Sequence, residues 1–156
     1  MIKLRHYQED VKTKILESWQ AVRSVLAVMP TGAGKTVTFA SIVADHKGAA
    51  IIVVHRKEIL SQISQALALA SEDLAAAGKM HRVVAPPKTI AMIRRKHLEK
   101  FGKCFIDPLA QTGVASVQTL TSAATNRDQR LQAWLAQVTL AVFDEGHHYV
   151  EAGFWA

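Results

Sequence analysis

Two glycines flank an alanine and lead into a lysine and a threonine at Pro30-Thr31-Gly32-Ala33-Gly34-Lys35-Thr36. Gly32 and Gly34 let the backbone turn sharply and bring its N–H groups onto phosphate oxygens, and a helix starting there adds the positive end of its dipole. Lys35 is then placed to reach β and γ phosphates, and the Thr36 hydroxyl to take a Mg²⁺ site. Strict Walker spacing asks for a glycine where Met29 stands, so the generic motif is matched only in its Gly-Lys-Thr half. A second group lies far downstream, at Asp144-Glu145-Gly146-His147-His148. An acidic pair ending a strand is common as a loop or helix cap. After a Gly-Lys-Thr loop it gains a chemical role, with Asp144 as the carboxylate that holds Mg²⁺ and Glu145 as the group that orients an attacking water. The histidines do not suggest zinc, because no companion His or Cys pair has ligand spacing and Cys104 is isolated.

These side chains need elements to carry them. The apolar run Val25–Met29 precedes the glycine turn, and Val37, Phe39, Ala40, Ile42, Val43 and Ala44 follow at helical spacing, which predicts strand, turn and helix in that order. Upstream, Tyr7, Val11, Ile15, Trp19 and Val22 draw an apolar stripe along one helix within Leu4–Val22, with the charges Glu9, Lys12, Lys14 and Glu17 mostly off it. Ala49–Val54, Gly113–Val117 and Thr139–Phe143 look like strands buried on both faces. Helical patterns at Glu58–Ala70 and Arg127–Gln137 lie between them. This alternation predicts an α/β fold, a parallel sheet with helices on both faces. Residues 71–112 fit the pattern least: Glu72–Gly78 is alanine-rich, Pro86-Pro87 breaks any regular element, and Thr89–Phe101 has the composition of a basic helix. That stretch is taken as a basic insertion or irregular segment.

The 156 residues amount to one ordinary domain, with no run of membrane-spanning length and nothing like a signal peptide at Met1–His6. One cysteine excludes an internal disulfide framework and points to a reducing cytoplasm. The net charge of +6 is unevenly placed. Lys79–Lys103 holds eight Lys or Arg against one acid, Glu99, which leaves the remainder of the chain at −1. Such a block suits a nucleic-acid surface or, equally, a solvated helix face.

Four stretches in order resemble the first RecA-like domain of a superfamily 2 DExH-box helicase or translocase, in the group that contains type III restriction enzyme subunits and DNA-repair helicases. Leu4-Arg5-His6-Tyr7-Gln8 resembles the adenine-recognition element, and the resemblance assigns Gln8, with Arg5 beside it, to the adenine edge. Pro30–Thr36 is similar to the superfamily's form of the phosphate loop, in which Met29 is unremarkable. Val54-His55-Arg56-Lys57-Glu58-Ile59-Leu60, with Gln62, resembles motif Ia, which holds a single strand's phosphates, and Ala115–Leu120 resembles the next strand-contacting motif. Those likenesses imply nucleic-acid contacts at His55, Arg56, Gln118 and Thr119, and the basic block between the two motifs adds Arg94, Arg95 and Lys96. Asp144-Glu145-Gly146-His147 fits the DExH box, whose histidine links the nucleotide and nucleic-acid sites.

What the resemblance implies is ATP hydrolysis to ADP and phosphate, with Mg²⁺, in a motor that moves on nucleic acid, DNA rather than RNA. The Ser/Thr-Ala-Thr motif and a second RecA-like domain with its arginine finger do not follow His147 here, so the domain is expected to be the N-terminal part of a longer protein, truncated after the acidic box. The resemblance also implies that the strand after the acidic box inserts between the strands of the phosphate loop and the acidic box, and the sequence to Ala156 is expected to stop short of it. The alternative is a non-catalytic module that keeps nucleotide binding and occupies nucleic acid or a partner helicase. A phosphate-loop kinase or GTPase explains neither Asp144–His147 nor Tyr7-Gln8.

Overall fold

The computed structural model describes residues 3–30, 34–73, 80–122 and 126–145. Helix α1 (His6–Ser18) and α2 (Lys35–Asp45) precede β1 (Ala49–Val54), and α3 (Lys57–Asp73) leads to β2 (His81–Val84). Then come α4 (Pro87–Phe101), β3 (Thr112–Ser116), a single turn α5 (Val117–Leu120), α6 (Gln129–Gln137) and β4 (Val138–Phe143). The four strands form one sheet in the order β2-β3-β1-β4, and all three pairings are parallel. Their carboxyl ends therefore share one edge, where ligands of open α/β sheets bind.

Side-chain alternation along the strands divides the core in two. Ala50, Ile52, Val54, Val83 and Val114 pack with α2, α3 and α4, and Ile15 of α1 and Trp19, its C-cap, lean on the same cluster. Ala49, Ile51, Val53 and Ala115 pack on the other face against Trp134 of α6, with Val117 and Leu120 of α5. The expected two-sided architecture is present. Strand β1 sits between two neighbours and is buried along its whole length, and Ile52, Leu60, Ile63 and Ile93 are fully enclosed. Burying each of those four side chains contributes about 1.5–3 kcal/mol.

Several expectations are corrected. Val25–Met29 is not a strand, and Leu26 and Val28 are 83% and 84% exposed. The reason is pairing: β4 ends the sheet and bonds to β1 alone, so among the described residues no strand lies beside this run to satisfy its backbone. For the same reason β4 is not buried on both faces, and Thr139 and Ala141 are exposed. Residues 71–112 are not an insertion on the sheet but supply part of it, since β2 pairs with β3 and α4 covers it. The apolar stripe of α1 is also displaced, because Tyr7 and Val22 are exposed while the docked face carries Gln8, Lys12, Ile15 and Trp19.

At the β2 end of the sheet, α3 and α4 enclose a polar chain. Phe105 N–H donates to His97 Nδ1 at 3.2 Å, so His97 carries its proton on Nε2 and donates to Ser64 Oγ at 3.0 Å. The Ser64 hydroxyl then donates to His81 Nε2 at 2.7 Å. His81 Nδ1 is left buried with no hydrogen-bond partner among the described residues. Burial first, and the neighbouring His97 second, push His81 down to about 3, while burial and then Arg94 lower His97. Both rings are therefore neutral across the physiological range.

Candidate functional site

Gly34 caps the N-terminus of α2, and its φ of 74° and ψ of 39° lie in the left-handed region. A side chain there is strained by its backbone, and a Cβ would stand 2.1 Å from Gln8 Nε2. Gln8 reaches this point from α1. Its Nε2 donates to the Gly34 carbonyl at 3.4 Å, and its Oε1 accepts from Arg5 N–H at 2.8 Å. A donor and an acceptor on opposite sides fix which end of the carboxamide is oxygen. The predicted adenine-recognition element and the phosphate loop, 26 residues apart, are thus in direct contact.

At the carboxyl edge, Asp144 N–H donates to the Val53 carbonyl at 3.1 Å and continues the β1–β4 pairing one residue past β4. That bond holds the Asp144 carboxylate at the strand end, 7% exposed. Lys35 Nζ lies 3.0 Å from Asp144 Oδ1, an ion pair between the first turn of α2 and the end of β4. The approach is off the direction of a hydrogen bond, and Oδ1 is otherwise a buried acceptor without a donor. Glu145 follows in a left-handed conformation, φ 53°, which costs a residue with a side chain about 1 kcal/mol or more. The chain therefore turns at the strand end.

The donor set suits a hard divalent cation. Thr36, half-buried beside Lys35, and the unsatisfied Asp144 oxygen are the oxygen ligands Mg²⁺ accepts, with the rest of its shell left to water and phosphate. Thr31, Gly32, Ala33, Gly146, His147 and His148 lie outside the described residues.

The predicted strand-contact residues divide into two groups. Gln118 Nε2 donates to the His55 carbonyl at 3.0 Å, joining the ends of β1 and β3. Arg56 is exposed next to them, and Thr119 Oγ1 accepts from Ser116 Oγ at 2.8 Å. His55, Arg56, Gln118 and Thr119 thus share the carboxyl edge with Asp144. Arg94, Arg95 and Lys96 do not. They begin seven residues into α4, roughly 10 Å down the helix from that edge. Lys96 Nζ is there 3.4 Å from Ser61 Oγ on α3, and Arg95 is exposed.

Lys12 was not singled out by sequence, yet its ammonium donates to Ser41 Oγ at 2.8 Å and pairs with Asp45. Its spacing from Gln8 was the available signal: residues 8, 12, 15 and 19 lie on one helical face, and only the last two are apolar.

Residues 1–156 match the family described as type III restriction enzyme, res subunit. The chain belongs to that family. Its fold resembles that of a type ISP restriction-modification enzyme, LlaGI, solved as a nuclease-deletion mutant in complex with a DNA substrate mimic, with a TM-score of 0.60 and 17% identity. The match covers 93% of this chain and 15% of that one. No curated protein sequence matches. The α/β architecture and the family membership together identify a helicase-related ATPase domain of the RecA-like kind. None of the described helices is long and apolar enough to cross a membrane.

Proposed function

We propose that this domain binds ATP and Mg²⁺ at the crevice between α2 and β4 and serves as the nucleic-acid-dependent hydrolytic part of a DNA helicase or translocase. The observation that carries the reading is the 3.0 Å approach of Lys35 to the buried Asp144, with Gln8 seated on Gly34 beside them. In this proposal Lys35 leaves Asp144 for the β and γ phosphates, which offer it more negative charge than one carboxylate. Mg²⁺ held by Thr36 and Asp144 would supply charge neutralisation during phosphoryl transfer. Glu145 orients the attacking water, and the backbone N–H groups of the loop and the α2 N-terminus hold the triphosphate. His147 connects this chemistry to the strand track formed by His55, Arg56, Gln118 and Thr119, with Arg94, Arg95 and Lys96 as outlying phosphate contacts.

Motor action would need a second RecA-like domain, whose arginine finger typically contributes on the order of 10³–10⁵ in rate. The domain alone should therefore bind nucleotide while hydrolysing it slowly. Calorimetric titration with ATP tests the site, with MgCl₂ or EDTA present. Magnesium-dependent uptake is expected, weakened on the order of a hundredfold by Lys35→Ala through loss of a charged phosphate contact. Absence of uptake, or uptake indifferent to that substitution, overturns the reading.

A further inference from the structure

Helices α3 and α4 run side by side away from the carboxyl edge, and lysines line the groove between them. Lys96 Nζ lies 3.4 Å from Ser61 Oγ, and Lys100 Nζ lies 3.4 Å from Gln65 Oε1. The two contacts are four residues apart on both helices, so the ammonium groups descend by about 6 Å per step. Lys57 stands one such step above Ser61, at the start of α3, and Arg56 precedes it. Lys103 continues the row below, after Gly102 closes α4 with a φ of 72°. Of the α4 residues singled out by sequence, only Lys96 belongs to this row; Arg94 and Arg95 lie on other sides of the helix.

The charge of the row is not neutralised from within. Among the described residues no carboxylate lies in ion-pair range of Arg56, Lys57, Lys96, Lys100 or Lys103. The acids beside them, Glu58 and Glu99, are exposed and leave an excess of three positive charges. The partners of the lower lysines are neutral: a hydroxyl, a carboxamide, and the Phe101 and Phe105 rings, 5.5 Å from Lys100 and 4.9 Å from Lys103. Exposed cations with neutral partners suit a polyanion, whose binding releases counterions. The rings also indicate which polyanion. Single-strand binders add aromatic faces on which bases stack, but α3 has no aromatic residue, and on α4 Phe101 is half-buried beneath Lys100 while His97 is enclosed. The groove offers backbone charge alone, which is what a duplex presents outward.

From this row we infer that the α3–α4 groove seats the phosphate backbone of duplex DNA, taking the double-stranded stretch that adjoins the strand held at the carboxyl edge. The inference rests on the strand track proposed above, because Arg56 and Lys57 join the groove to the end of β1, where Gln118 bonds the His55 carbonyl.

Fluorescence anisotropy tests this with a single-stranded DNA and with the same strand carrying a hairpin duplex at one end or the other. The wild-type chain should hold one of the tailed hairpins more tightly than the strand alone. Lys96→Gln, Lys100→Gln and Lys103→Gln, made together, should weaken that hairpin on the order of tenfold and lower the slope of log affinity against log salt by about 2–3, roughly one per phosphate contact. Affinity for the strand alone should stay within about twofold. A matched triple, Lys14→Gln with Lys47→Gln and Arg130→Gln, removes the same charge from exposed positions elsewhere, and an equal loss there means that net charge alone acts and overturns the inference. A groove variant that weakens both probes alike, or neither, overturns it too. Should the groove triple be unfolded at the assay temperature, Lys100→Gln alone replaces it: a slope lower by about 1 supports the inference, and an unchanged slope overturns it. Arg56→Gln with Gln118→Ala should weaken the strand alone, which separates the track from the groove. Wild-type protein that binds neither probe ends both readings. Wild-type protein that binds the strand and gains nothing from either hairpin ends this inference alone.

Discussion

At the α2–β4 crevice, polar groups from segments far apart in sequence meet and stay partly open; beneath α4, polar groups meet and are sealed. Lys35 is 45% exposed while pairing with a buried Asp144, Gln8 binds a loop carbonyl by a long contact, and no strand among the described residues pairs with the neighbouring edge of β4. Around Ser64, by contrast, His81 and His97 are fully enclosed and their hydrogen bonds run between α3, β2 and α4. The first arrangement keeps charge available for a ligand that can take the place of an internal partner. The second uses neutral tautomers to satisfy polar atoms inside a core, where a charge would go unpaired. Substitutions at the crevice should therefore alter binding, and substitutions under α4 should alter stability.

The sharpest separation comes from His97→Leu. It keeps much of the volume but removes the acceptor for the buried Phe105 N–H and the donor to Ser64. Stability in urea should drop by about 2–3 kcal/mol, the cost of stranding buried polar groups. ATP affinity in magnesium should remain within about twofold of wild type at a temperature where the variant stays folded. A large loss of nucleotide affinity in the folded variant would show that the two regions are coupled.

Acid should probe the same chain without a mutation. The folded pKa of His81, about 3, lies below the ordinary histidine value of 6.5, and that of His97 is lowered as well. The unfolded chain therefore takes up protons that the folded one refuses. The stabilisation is complete above about pH 6.5 and is lost progressively as pH falls toward 3, with a slope of up to about 1.4 kcal/mol per pH unit from His81. Urea midpoints at pH 7.5 and pH 5 should differ accordingly, and His81→Phe should flatten the difference. A wild-type midpoint unchanged between those values would mean that the histidines are solvated.

The contrast also explains what the sequence could announce. β1 has six apolar residues in a row and was legible with its bounds, as were the two chemical motifs, because each is written in adjacent residues. β2 was not, since it has only four residues, begins with His81 and Arg82, and ends just before Pro86-Pro87. Its polar residues are tolerated inside because Ser64 bonds His81, while Arg82 stacks on Trp134 at 4.4 Å and donates to the Ala110 carbonyl. Those partners are 17 to 52 residues away, and no local pattern encodes them. Lys12 escaped notice for a similar reason, having the composition of a surface residue and a partner on another helix.

Val25–Met29 shows the opposite failure, a local pattern whose tertiary condition is unmet. An apolar run becomes a strand where another strand accepts its hydrogen bonds, and the edge of β4 facing away from β1 has none to offer it among the described residues. The smallest expected effect follows. Leu26→Ser with Val28→Ser, made together in this chain, should shift the free energy of unfolding by no more than about 0.5 kcal/mol, as for exposed positions generally. The measurement is a urea midpoint at pH 7.5, where the histidine chain is neutral in both states and cannot mask a small change. A loss above about 1.5 kcal/mol would place the two side chains in a packed interior, because fully burying one aliphatic side chain is worth that much. In that event the run is paired in solution, and the crevice is more enclosed than the strand order of the described residues implies.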